Sequence, residues 1–89
     1  MSNAQESIIE YPLEFPIKVM GLKSEAFIDA VKAIAARHDT GFDPTTVELR
    51  ESREGKYLSV TITITATSRE HLDGIYQELT AHPLSKMVF

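Results

Sequence analysis

Three histidines, His38, His71 and His82, are the first side chains to weigh for chemistry. Imidazole titrates near neutral pH and serves both as general base and as metal ligand. A metal site wants such ligands together, typically at i and i+4 on one helix face. His71 and His82 stand eleven residues apart, which on one helix is about 16 Å along the axis. His38 belongs to a different segment. All three fall near helix ends, which points to surface or capping roles. No cysteine occurs in the 89 residues, so disulfides, thiolate metal sites and cysteine nucleophiles are excluded. No Ser-His-Asp spacing and no nucleophile elbow is present. Glu51 and Glu54 flank a predicted hairpin turn and read as a solvated edge. The expectation is a chain that is not an enzyme, with no catalytic residue, metal ligand or cofactor.

Two other groups of residues remain. The first is a row of polar side chains at every second position, Tyr57, Ser59, Thr61, Thr63 and Thr65. Lys18, Met20, Glu48 and Arg50 would join it from neighbouring strands, and together they form a candidate interaction face. Solvated antiparallel faces also favour threonine, for its β propensity. The second is Gly21-Leu22-Lys23-Ser24, a predicted strand-to-helix turn. Free backbone N–H groups and the helix dipole can receive an anion there, or Ser24 can simply cap.

The elements that must position these groups follow from periodicity. Phe15, Ile17 and Val19 alternate with Pro16, Lys18 and Met20, which predicts a half-buried strand that Gly21 breaks. Ser24 predicts an N-cap with Glu25 in the first turn. Phe27, Ile28, Val31, Ile34 and Ala35 form one apolar helical stripe, ending around 37–39. Residues 46–53 read as a weaker strand with Val47 and Leu49 inward. Gly55 supplies the positive φ of a hairpin turn. From Tyr57 to Thr67 the alternation is unbroken, with Leu58, Val60, Ile62, Ile64 and Ala66 inward. Ser68 caps a second helix striped by Leu72, Ile75, Tyr76 and Leu79, and Pro83 ends it. Leu84 to Phe89 predicts a last strand of open register. Either Ser85, Met87 and Phe89 face inward, or Leu84 and Val88 do.

Strand, helix, strand, strand, helix, strand predicts an α+β ferredoxin-like βαββαβ fold. Its four-stranded antiparallel sheet carries both helices on one face, in strand order 4-1-3-2. Residues 1–12 read as a flexible lead-in and 13–89 as a single domain. A chain this short buries only about 60% of its unfolded surface, so a second domain with a cleft is excluded. The fold hosts many activities. Metal-carrier versions use paired cysteines, and acylphosphatase versions need an arginine after the first strand, where this chain has Lys23.

Nine Lys and Arg against thirteen Asp and Glu leave a net charge of −4. Nucleic-acid binders carry a basic footprint, so nucleic acid is an unexpected partner. RNA-recognition domains of this topology stack bases on exposed aromatics of the third strand, where Ser59, Thr61 and Thr63 stand instead. Gly55-Lys56-Tyr57 faintly resembles the start of that motif, and RNA contact is the weakest alternative. No apolar run approaches the ~20 residues of a membrane span. No signal peptide is recognisable, which makes the cytoplasm the expected location.

Phe15 to Gly21, Gly55 to Thr67, Tyr76 with Glu78-Leu79, and the ending Met87-Val88-Phe89 together resemble the YbeD-like family of small bacterial proteins. The resemblance covers roughly residues 10 to 89 and implies a ferredoxin-like fold. It is similar in fold to the ACT domains, which sense amino acids in biosynthetic enzymes. The implied role is a regulatory or binding module that senses a small metabolite or contacts a protein, itself included as a homodimer. ACT effector sites commonly place an acidic residue before the glycine of the first loop; here Val19-Met20 precede Gly21. A plain protein-interaction adaptor is the alternative.

Overall fold

The computed structural model describes residues 10–89. The expected lead-in therefore lies mostly outside the described residues, Ile8 and Ile9 included. The elements are β1 (Leu13–Leu22), α1 (Glu25–His38), β2 (Glu48–Glu51), β3 (Tyr57–Ala66), α2 (Arg69–Ala81) and β4 (Ser85–Val88). The sheet order is β2-β3-β1-β4, antiparallel throughout. This is the ferredoxin-like arrangement that the element order predicts.

The core lies between the sheet and the two helices. Ile17 and Val19 of β1 and Leu58, Val60, Ile62, Ile64 and Ala66 of β3 are buried. They meet Phe27, Val31, Ile34 and Ala35 of α1 and Ile75 and Leu79 of α2. Burying a side chain such as Phe27 contributes about 1.5–3 kcal/mol. Both helices start on serine caps. Ser24 Oγ accepts from the Phe27 N–H and Ser68 Oγ from the His71 N–H, each at 3.0 Å. These bonds satisfy donors that the first turn leaves unpaired.

Three expectations need correction. Gly21 does not break β1: it is buried within the strand, and Gly21 and Leu22 pair with Leu58 and Tyr57. Glycine is required there by close approach rather than by backbone angle. A Cβ on Gly21 would collide with the Leu84 carbonyl oxygen and come within 2.9 Å of the Phe27 ring. The second strand is four residues long instead of eight: Asp43 caps a 3-10 turn over Pro44–Thr46 that delays its start, and the hairpin turn, with Gly55 N–H donating to the Ser52 carbonyl, takes its end. Leu49, expected in the core, is exposed. It occupies the helix side of the edge strand, beyond the reach of both helices.

The last strand takes one register. Val88 lies opposite Val19 and packs against the core, while Met87 lies opposite Met20 on the open face. Gly21 then pairs with Ser85, so Lys86 is an extra residue in a bulge. Phe89 continues the ladder. Its N–H donates to the Lys18 carbonyl at 2.8 Å, and its carbonyl accepts from Lys18 N–H at 3.3 Å. The hairpin turn holds Gly55 at φ 76°, as its position implied.

Candidate functional site

The face of the sheet turned away from the helices is uncovered, and it carries every residue of the expected interaction face. Strand register arranges them in rows. Met20, Ser59 and Arg50 form one row; Lys18, Thr61 and Glu48 form the next. Pro16 then lies beside Thr63, and Glu14 beside Thr65. Tyr57 closes the upper end opposite Leu22. Register brings this set together because side chains alternate faces with period 2, so one long alternation in β3 fixes its neighbours.

Two shallow depressions lie at opposite ends of the β3 hydroxyl row. The upper one, ≈ 280 Å³, is lined by Lys18, Met20, Arg50, Tyr57 and Ser59 among others. Neither Lys18 nor Arg50 has an ion-pair partner among the described residues. Glu51 at its rim is held by Lys23 at 2.6 Å. The Lys56 ammonium lies 5.5 Å from the centre of the Tyr57 ring, a cation–π distance. The lower depression, ≈ 290 Å³, is lined by Glu14, Asp39, Asp43, Thr63 and Thr65 among others. The Thr45 hydroxyl and backbone N–H donate to Asp43 and hold its carboxyl below the usual carboxylate value. Asp39 accepts from the Gly41 and Thr65 N–H groups at 3.0 and 2.9 Å, tying the end of α1 to β3.

The apolar part of the open face lies beside the upper depression. Met87 and Phe89 are 51% and 54% exposed, and Met87 sits directly across from Met20. Sequence reasoning left this pair open, since nothing in a six-residue apolar tail sets its register. It also missed the acidic end of the face. Asp39 and Asp43 belong to a connector, and only folding brings that connector beside Thr63 and Thr65.

Of the Gly21–Ser24 segment, Lys23 and Ser24 form the actual turn. With Glu25, Ile28, Gly55 and Lys56 they line a concavity of ≈ 500 Å³. Lys23 N–H donates to the Lys56 carbonyl at 3.0 Å. The turn is thus stitched to the β2–β3 hairpin.

Two histidines meet although they are far apart in sequence. The His38 and His71 rings stand 6.3 Å apart between the helices. His38 Nε2 lies 2.7 Å from Glu78, which Arg37 also contacts. Burial, and then the electrostatic influence of His71 and Arg37, hold His38 below the ordinary histidine value. His82 Nδ1 accepts from the Leu84 N–H at 3.1 Å beyond the end of α2. Capping and tethering thus account for all three imidazoles. Among the described residues no three His, Cys, Asp or Glu side chains could hold a metal ion together. No described helix is long and apolar enough to cross a membrane.

Comparison with known proteins agrees with this architecture. The family model described as "Protein of unknown function (DUF493)" matches residues 6–89. A UPF0250 protein of Leptothrix cholodnii is 52% identical over 94% of this chain and 92% of its own length. One from Nitrosomonas europaea is 50% identical over 94% and 97%. The solution structure of protein HP0495 from H. pylori superposes with a TM-score of 0.79, covering 100% of this chain and 93% of that one. At 14% identity that likeness speaks for the fold alone. A four-stranded sheet in this order and relatives near half identity over nearly full length lead to one assignment: the chain belongs to the DUF493 family, the YbeD-like UPF0250 proteins.

Proposed function

We propose that the protein is a non-catalytic binding module of the cytoplasm that works by contact through the open face of its sheet. The observation that carries this reading is the asymmetry of the two faces. One face is sealed by both helices over a closed apolar core. The other presents Met20, Met87 and Phe89 beside Lys18 and Arg50, two cations without an ion-pair partner among the described residues. Exposed apolar side chains that adjoin one another on a single face fit a contact role better than scattered ones. A photocrosslinker placed at Met87 tests it against one at Lys32 on α1. Adducts with another protein from position 87 alone support the reading; equal yields at both positions end it.

A second reading, ACT-like sensing of a small metabolite, draws on the ≈ 500 Å³ concavity at Lys23, Ser24 and Lys56. Its size suits an amino acid or a compound of similar bulk. An amino-acid panel followed by thermal shift tests it. Ligand at 100 times its dissociation constant adds ~2.7 kcal/mol of stability. A panel without any shift leaves the adaptor role alone.

A further inference from the structure

We propose that the open face pairs with the same face of a second copy of this chain, the two copies running in opposite strand directions. The inference rests on the contact reading above and names the partner. Its ground is that the face is charge-complementary to itself. The upper depression offers Lys18 and Arg50, unpaired among the described residues; the lower offers Glu14, Asp39 and Asp43. The two depressions have nearly equal volumes, ≈ 280 and ≈ 290 Å³. They lie at opposite ends of one straight row of hydroxyls on β3.

A two-fold axis lying in the interface, perpendicular to the strands and between Thr61 and Thr63, exchanges the two ends. It keeps β1 and β3 over their own counterparts and carries each edge strand, which flanks only the upper end, over the other copy's lower end. Arg50, on the β2 side, then comes over the partner copy's acidic connector, which is also on the β2 side. Lys18 on β1 comes over the other copy's Pro16, with the other copy's Glu14 the next same-face position along the strand. The threonine hydroxyls meet at the centre, each able to donate and to accept. Glu48 departs from the pattern, as does Glu51 at the rim, which Lys23 already holds, and the axis places Glu48 over the neutral ground of Thr46 and Thr63. Such self-complementarity is what an isologous interface requires.

The size of the face sets the strength. The two ten-residue central strands, with the four residues of β2 over the connector, give a footprint on the order of 400 Å² per copy, from about 3.3 Å per residue and about 4.8 Å between strands. That is the small end of specific interfaces, which are weak and transient. Charge steering rather than apolar burial would then dominate, so the dimer weakens as salt rises.

Sedimentation velocity across a concentration series from micromolar to millimolar tests the proposal. The wild type dimerises, and the pairing weakens in high salt. Lys18→Glu with Arg50→Glu weakens it by about tenfold or more, because like charges now oppose each other. Glu14→Lys does the same in its own right. Mixing a Lys18→Glu chain with the Glu14→Lys chain restores a mixed dimer, because the exchanged charges then face each other. All three positions are exposed strand residues, and circular dichroism checks that each variant is folded. If a variant proves unfolded, Lys18→Gln with Arg50→Gln replaces it and must still weaken the dimer. A wild type that stays monomeric at millimolar concentration overturns the second-copy inference, and the crosslinking result at Met87 then judges the contact reading separately. A dimer indifferent to all the charge changes overturns the placement.

Discussion

The His71 imidazole is tied to the last turn of the other helix: its Nε2 lies 2.6 Å from the carbonyl oxygen of His38. Its other nitrogen, Nδ1, accepts the Thr67 N–H at 3.0 Å. A ring nitrogen that accepts carries no proton, so the proton sits on Nε2 and is donated to His38. One side chain therefore satisfies a carbonyl that the end of α1 leaves open and a donor at the entry to α2. Two of the three histidines that a first look marks for chemistry, His38 and His71, are thus bound into the seam between the helices.

Removing that link carries a defined cost. His71→Ala deletes two side chain–backbone hydrogen bonds of roughly 0.5–1.5 kcal/mol each. For a domain of this size each kcal/mol lowers Tm by about 4–8 °C, so a drop on the order of 10 °C is expected. Thermal unfolding followed by circular dichroism measures it. A Tm within a degree or two of wild type shows that the bridge contributes nothing.

His38 gives the stability a pH dependence. Its value is lowered by burial first, then by His71 and Arg37. The group titrates at 6.5 when unperturbed. Between that pH and the lower folded value, the unfolded chain binds more protons than the folded one. The contribution is therefore fully present above pH 6.5 and is lost as pH falls through the folded value. In urea titrations at pH 7.5 and in the acid range just below, on the order of one to two pH units lower, the wild type should lose more stability than His38→Gln. Equal losses would remove His38 as the cause.

Gly21 is set by a neighbour's backbone. A methyl at this position meets the Leu84 carbonyl and the Phe27 ring, and neither can move without opening β4 or the core. Gly21→Ala should cost about 1–3 kcal/mol, the range for overpacking. Urea midpoints of the variant and the wild type check this directly. Unchanged midpoints would mean that β4 shifts freely.

How much of this was legible depends on how local each signal is. The unbroken alternation of β3 and the two helical stripes are local, and they placed nearly every core residue and the whole of the expected open face. Gly21 was read as a breaker because its cause, the Leu84 carbonyl, is 63 residues away in the chain. The acidic end of the open face was missed for the same reason, since Asp39 bonds to Thr65 across 26 residues. Leu49 was misplaced because periodicity gives the side of a sheet and not how far the helices extend over it.

Leu49 turns that last point into a measurement. It shares the helix side of the sheet with Val60, its cross-strand neighbour, yet it is 52% exposed while Val60 is fully buried. Alternation alone would assign both to the core and give both truncations a similar cost. Burial separates them. Val60→Ala should cost about 1.5–3 kcal/mol, from lost transfer energy and the cavity left behind. Leu49→Ala should stay within about 0.5 kcal/mol, as exposed substitutions do. Chemical denaturation of the two variants decides between periodicity and coverage. A large loss at Leu49 would mean that the edge strand is covered in solution.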